Sequence, residues 1–261
     1  MQKKPIYLIV GHGSPNPLGN KQLLHFVAQF QQALGEKVYF GALEHGEPSL
    51  EEALVQACHD RTSDTICVIP LFLFAAYHCK KDIPRYLQKA QTAFPNKKFH
   101  YAPALGDHPL MLEILHQALE QIEATSKITD PKKTLLLMIG RGTSEASVID
   151  LFHQIAASVA KKWGFSRLET CFMAVNKPTF EEGLLLCEQT EAKRIIVIPY
   201  LLFYGALVEK ISKSFQQLNR KRPDVEIHIT QVLGNHPNLI KALMERSKEE
   251  VRDGSFEKNR P

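Results

Sequence analysis

Residues 7–16 read "YLIVGHGSPN", and residues 135–144 read "LLLMIGRGTS". Each is a short apolar run that ends on a residue held between two glycines, His12 in the first and Arg141 in the second. Working outward, further landmarks repeat in the same order. Gly11 and Gly140 lie 129 positions apart. Pro48 of "EPSLEEAL" and Pro178 of "KPTFEEGL" lie 130 apart. Pro70 of "VIPLFLFAA" and Pro199 of "VIPYLLFYG" lie 129 apart, and Gly106 of "ALGDHPLMLEIL" and Gly234 of "VLGNHPNLIKAL" lie 128 apart. Four landmarks at near-constant offset mark a tandem duplication of about 125 residues per copy. The joint falls near the polar stretch "TSKITDPKK", Thr125 to Lys133.

Each copy alternates short apolar runs with longer amphipathic stretches. "IYLIV", "TICVIPLFL" and "KFHYAPAL" read as strands, being short and bounded by breakers. Leu23, Val27, Phe30 and Leu34 share one helical face. "SLEEALVQACHD" opens with a Ser cap and an acidic first turn, and "HPLMLEILHQALEQIEA" reads as a further helix. Strands alternating with helices give an α/β fold with a parallel sheet covered on both faces. The expected architecture is two similar lobes, residues 1–126 and 134–250, each a parallel sheet flanked by helices, with a charged tail over 251–261. Two such lobes are expected to face each other across a cleft.

Composition narrows the class. The chain has 261 residues, is 44% hydrophobic and carries a formal charge of +4. No basic run interleaved with aromatics points to nucleic acid. No apolar segment approaches a membrane span, and the N-terminal apolar run is too short for a signal peptide, so a cytoplasmic protein is expected. The five cysteines show no CxxC spacing and lie in apolar segments, as reduced packing residues do.

In open parallel sheets ligands bind beyond the carboxyl ends of the strands. In the first copy those positions hold His12, Glu44 in "GALEHGEP" and His78 in "LFAAYHCKKDIP". Two imidazoles and a carboxylate suit a first-row divalent metal, with a coordination position left open. The glycines around His12 are expected to let the chain turn and to leave room for a bulky ligand. In the second copy the three candidates become Arg141, Ala174 and Leu207, while the landmark residues persist. Packing residues should survive in both copies, and residues of one site may survive in one. By that logic His108 and His236, present in both copies as "DHP" and "NHP", are expected to cap or orient the following helix. His45 and Glu47 compete with Glu44. His25, His59, His100, His116, His153 and His228 sit in helices or outlying strands.

"LIVGHGS", "LEHGEPSLEEAL", "IPLFLFAAYHCKKDIP" and "LGDHP" resemble the motifs of the class II tetrapyrrole chelatases. The likeness is to the sirohydrochlorin cobalto- and ferrochelatases in their long, two-lobed CbiX-like form, and it covers about residues 5 to 245. The resemblance implies that His12 and His78 are the paired active-site histidines and that Glu44 joins them at the metal. It implies insertion of Co²⁺ or Fe²⁺ into sirohydrochlorin, on the route to cobalamin or siroheme, with the metal as substrate and no organic cofactor. The partner is then an anionic tetrapyrrole rather than nucleic acid or membrane, and the protein a monomer or homodimer. Lys80, Lys81, Arg85, Arg141 and Lys210 are the basic residues placed to grip its carboxylates, Arg141 taking the place of His12 as an anchor. Two rival readings are a histidine-phosphatase-like enzyme and a non-catalytic carrier of metal or tetrapyrrole. The first wants an arginine directly before the histidine, and Gly11 stands there.

Overall fold

The computed structural model describes residues 4–249; the tail over 251–261 lies outside them. Both copies build the same four-stranded parallel sheet. In the first, β1 (Ile6–Gly11), β2 (Val38–Ala42), β3 (Thr65–Pro70) and β4 (Lys98–Tyr101) take the order β2-β1-β3-β4. In the second, β5 (Thr134–Gly140), β6 (Arg167–Phe172), β7 (Arg194–Pro199) and β8 (Glu226–Ile229) take the order β6-β5-β7-β8. The first strand of each copy is central, so its end is flanked by the ends of two neighbours. The strand expected over "TICVIPLFL" stops at Pro70, and "KFHYAPAL" is strand only as far as Tyr101.

The helices follow from caps and stripes. The first, α1 (Pro17–Leu34), has Pro at its start and Asn16 as cap, and buries Leu23, Phe26, Val27 and Phe30. In α2 (Leu50–His59), Ser49 and Glu52 form a reciprocal capping box. Thr179 and Glu182 repeat it at the head of α6 (Phe180–Gln189). Ile6, Leu8 and Val10 pack with α2 and α3 (Ile83–Ala93) on one face of the first sheet. Successive strand residues point to opposite faces, so the apolar side chains between them serve the other.

The final helix of each repeat does not stay with its own sheet. One compact unit comprises the residues up to His108 together with those from His236 onward, and the other comprises Pro109–Asn235. Thus α4 (Pro109–Glu123) packs beside α5 (Ala146–Trp163) in the second unit, where the Trp163 indole N–H donates to His116 Nδ1 at 3.1 Å. Conversely α8 (Pro237–Arg246) packs beside α1 in the first. Arg246 there donates to the Leu105 carbonyl and to Asp107, each at 2.9 Å. The compact units therefore do not coincide with the 1–126 and 134–250 division of the repeat.

The remaining helix, α7 (Ala206–Lys221), is the second-copy counterpart of α3. All five cysteines are buried and free. Burial raises the Cys58 thiol to about 11 and those of Cys67, Cys79, Cys171 and Cys187 to about 12. Among the described residues no helix is long and apolar enough to cross a membrane.

Candidate metal centre

His12, Glu44 and His78 converge. Each offers a ligand atom, and the three atoms lie within 4.8 Å of one another. The sheet order brings this about: His12 follows β1, Glu44 follows β2 on one side, and His78 follows β3 on the other. Beyond the strands the pairing continues into the loop, with Leu43 N–H on the Gly11 carbonyl and Glu44 N–H on the His12 carbonyl, both at 2.9 Å. The His12 Nδ1 then lies 3.9 Å from Glu44 Oε2. The His12 and His78 rings meet edge to face, with centroids 4.8 Å apart. Both imidazoles are half-buried and Glu44 is exposed, so the cluster opens to solvent on its carboxylate side.

The glycines beside His12 are required by the chain itself. Gly13 has φ +82°, and a Cβ there would overlap the Glu44 carbonyl oxygen. A Cβ at Gly11 would press on Leu23 and Phe40 at 3.0 to 3.2 Å. Gly142 repeats the Gly13 arrangement against Ala174 in the second copy. The glycine-flanked histidine thus records the close passage of two loops, which holds in both copies whether or not ligands are present.

The second copy confirms residue equivalence through its backbone. Met173 N–H bonds the Gly140 carbonyl at 2.9 Å and Ala174 N–H bonds that of Arg141 at 3.0 Å. Arg141 is exposed at the end of β5. His45 and Val175 occupy equivalent sites with positive φ, 35° and 66°. His45 Nε2 sits 3.8 Å from Glu44 Oε2, beside the cluster and not part of it. His236 caps α8, accepting the Asn238 N–H at 3.1 Å, while His108 is buried with Nε2 3.1 Å from Glu245. Among the substrate-grip candidates, Lys80 is half-buried and Lys81 exposed on the turn after His78. Arg85 sits 3.5 Å from Asp82, and Lys210 pairs with Glu181 at 2.6 Å.

Two residues at the site escaped sequence reasoning. Asn20 on α1 accepts the Ser14 N–H at 2.8 Å and donates to the carbonyls of Ser14 and His45, tying the His12 loop to the Glu44 loop. Asp82 contacts His78 Nδ1 at 2.8 Å. Neither lies at a strand end of the repeat, the position at which ligand-binding residues of an open parallel sheet are expected. Phe72 and Tyr77 complete the surroundings, with ring centroids 6.1 and 6.3 Å from that of His78; Tyr77 is 61% exposed.

Known proteins bear on this arrangement. A sirohydrochlorin ferrochelatase of Priestia megaterium is 30% identical over 244 residues, covering 92% of this chain and 88% of its own length. A sirohydrochlorin cobaltochelatase of the same organism is 28% identical over 244 residues, covering 93% and 78%. The solved structure of SirB from Bacillus subtilis with Fe³⁺ superposes with a TM-score of 0.82 at 24% identity, covering 98% of each chain, and so has the same fold. The CbiX family model matches twice, over residues 6–122 and 135–250, one match per repeat. On that double match, the chain belongs to the CbiX family.

Proposed function

We propose that the protein is a sirohydrochlorin chelatase that inserts Co²⁺ or Fe²⁺ into the tetrapyrrole. The observation that carries this reading is the convergence of His12, Glu44 and His78, which among the described residues occurs in the first repeat alone. Relatives that span nearly the whole chain carry both the cobalto- and the ferrochelatase name, which supports the reaction and leaves both metals as substrates. The donor set agrees: imidazole and carboxylate accept either ion, and the general affinity order does not choose between them.

Insertion exchanges two pyrrole N–H protons for one divalent ion. The ion must be held loosely enough to leave, so a closed four-ligand cage would defeat the reaction. Three side chains from three loops leave coordination positions for the pyrrole nitrogens. As the ion transfers, one of the two histidines, released from it, accepts one pyrrole proton, and the second passes to water on the solvent-open side of the cluster. Glu44, exposed at the rim, supplies negative charge that draws the cation in. Lys80 and Lys81, on the same turn as His78, would meet peripheral carboxylates of the macrocycle; Arg85 contacts Asp82 and Lys210 contacts Glu181. Arg141 remains a carboxylate anchor by virtue of its exposed guanidinium. The five protonated, buried thiols fit a reducing cytoplasm.

The test is an anaerobic optical assay of sirohydrochlorin with Co²⁺ or Fe²⁺. Wild type should accelerate insertion over the spontaneous rate, and His12→Ala and His78→Ala should lose at least about 100-fold of that acceleration. His236→Ala, which removes the cap of α8 away from the cluster, should retain it. A wild type that binds metal and tetrapyrrole without accelerating insertion would make the protein a carrier instead.

A further inference from the structure

The repeat offset slips from 129 to 128 within one short segment. Cys79 and Val208 are buried counterparts 129 apart, and Ile83 and Ile211 are buried counterparts 128 apart. The first copy therefore holds one extra residue between them, and it is taken up by a π turn over His78–Asp82. The Ile83 N–H bonds the His78 carbonyl, five residues back. Such one-residue bulges recur at functional sites.

The turn is braced in a way the second copy lacks. With the Ile83 N–H engaged, the next donor for the Cys79 carbonyl would come from Pro84, which has none. The buried Tyr101 hydroxyl donates to that carbonyl at 2.9 Å. At the β8 position matching Tyr101, by the strand registers, stands Ile229. The extra residue, the proline and the hydroxyl thus occur together in the copy that holds the metal candidates.

The wide turn keeps Cys79 and Ile83 in the core and sets Asp82 against His78. The Asp82 carboxylate lies 2.8 Å from His78 Nδ1 and is 19% exposed. Arg85 touches its other oxygen at 3.5 Å. In the second copy Leu207 has Ile211 four residues on, and no carboxylate takes this role.

We propose that Asp82 is a positioning residue for His78. It accepts the Nδ1–H, fixes the ring and its tautomer, and leaves Nε2 with its lone pair for the ion. Carboxylate–histidine pairs of this kind orient metal ligands generally, and their loss costs about 10–100-fold in affinity. This inference rests on the chelatase reading for what the ion is, but its geometry is independent of turnover.

Two measurements test it, without tetrapyrrole. Long-range ¹H–¹⁵N correlation spectra of the metal-free protein should report the Nδ1–H tautomer for His78, and Asp82→Ala should shift it towards Nε2–H. Anaerobic Co²⁺ titration followed by visible absorption should give about 10-fold or weaker binding in Asp82→Ala. Asp82→Asn, close to isosteric, keeps an acceptor oxygen and should fall between Asp82→Ala and wild type. Tyr101→Phe should weaken Co²⁺ binding in the same direction. If His78→Ala weakens Co²⁺ binding while Asp82→Ala and Asp82→Asn stay within twofold of wild type with the tautomer unchanged, the positioning role is wrong and the metal site stands. If wild type binds Co²⁺ and His78→Ala binds it equally well, the metal site itself is misplaced, whatever the tautomer.

Discussion

His12 was legible because a duplicated chain contains its own control. His12, Glu44 and His78 vanish together from the second repeat while Gly, Pro and His-Pro landmarks persist, and the fold gathers those three within 4.8 Å. Glu44 was the least distinct of them, with His45 and Glu47 beside it. Backbone pairing with the His12 loop singles it out. Gly13 is required at its position by the Glu44 carbonyl, which a Cβ there would overlap. Gly13→Ala should therefore destabilise the fold by about 1–3 kcal/mol, from the forced positive φ together with the overlap. Chemical denaturation measures it, and an unchanged midpoint would contradict the close passage. Asp82 and Asn20 were not legible, because each acts through a contact that only the folded turn creates.

At the scale of elements, most of the pattern was readable. Short apolar runs became parallel strands, and both capping boxes follow from a Ser or Thr three residues before Glu. The π turn was not readable as such, although its arithmetic trace, an offset falling by one between Pro70 and Gly106, was already present. Deleting Lys81 should convert the turn to the register of the second copy, with Cys79 and Ile83 spaced as Val208 and Ile211 are. The expected outcome is a folded protein whose Co²⁺ affinity drops to that of His78→Ala. Circular dichroism and metal titration on the same sample check both halves. Wild-type affinity in the folded deletion variant would show that the extra residue has no part in aiming His78.

For the whole molecule, the duplication and the two parallel sheets could be read, but the exchange of final helices could not. An amphipathic stripe on α4 or α8 says that a face is buried and does not say by which repeat. The partners that decide it are long-range: Arg246 with Leu105 and Asp107, Trp163 with His116. The thiols give a global check on packing. All five are buried with raised pKa values, so each stays protonated and shielded at neutral pH. An aromatic disulfide reagent should find almost no reactive thiol in the native protein and all five after unfolding. Rapid native reaction of even one would contradict the core as described.

On the proposed function, the first repeat alone carries the metal substrate. Anomalous diffraction at the cobalt edge, from crystals soaked anaerobically in Co²⁺, locates the ion without reference to turnover. A peak is expected enclosed by His12, Glu44 and His78, and none at Arg141, Ala174 and Leu207. A strong peak in the second repeat, or cobalt bound elsewhere with the three side chains unoccupied, would contradict it.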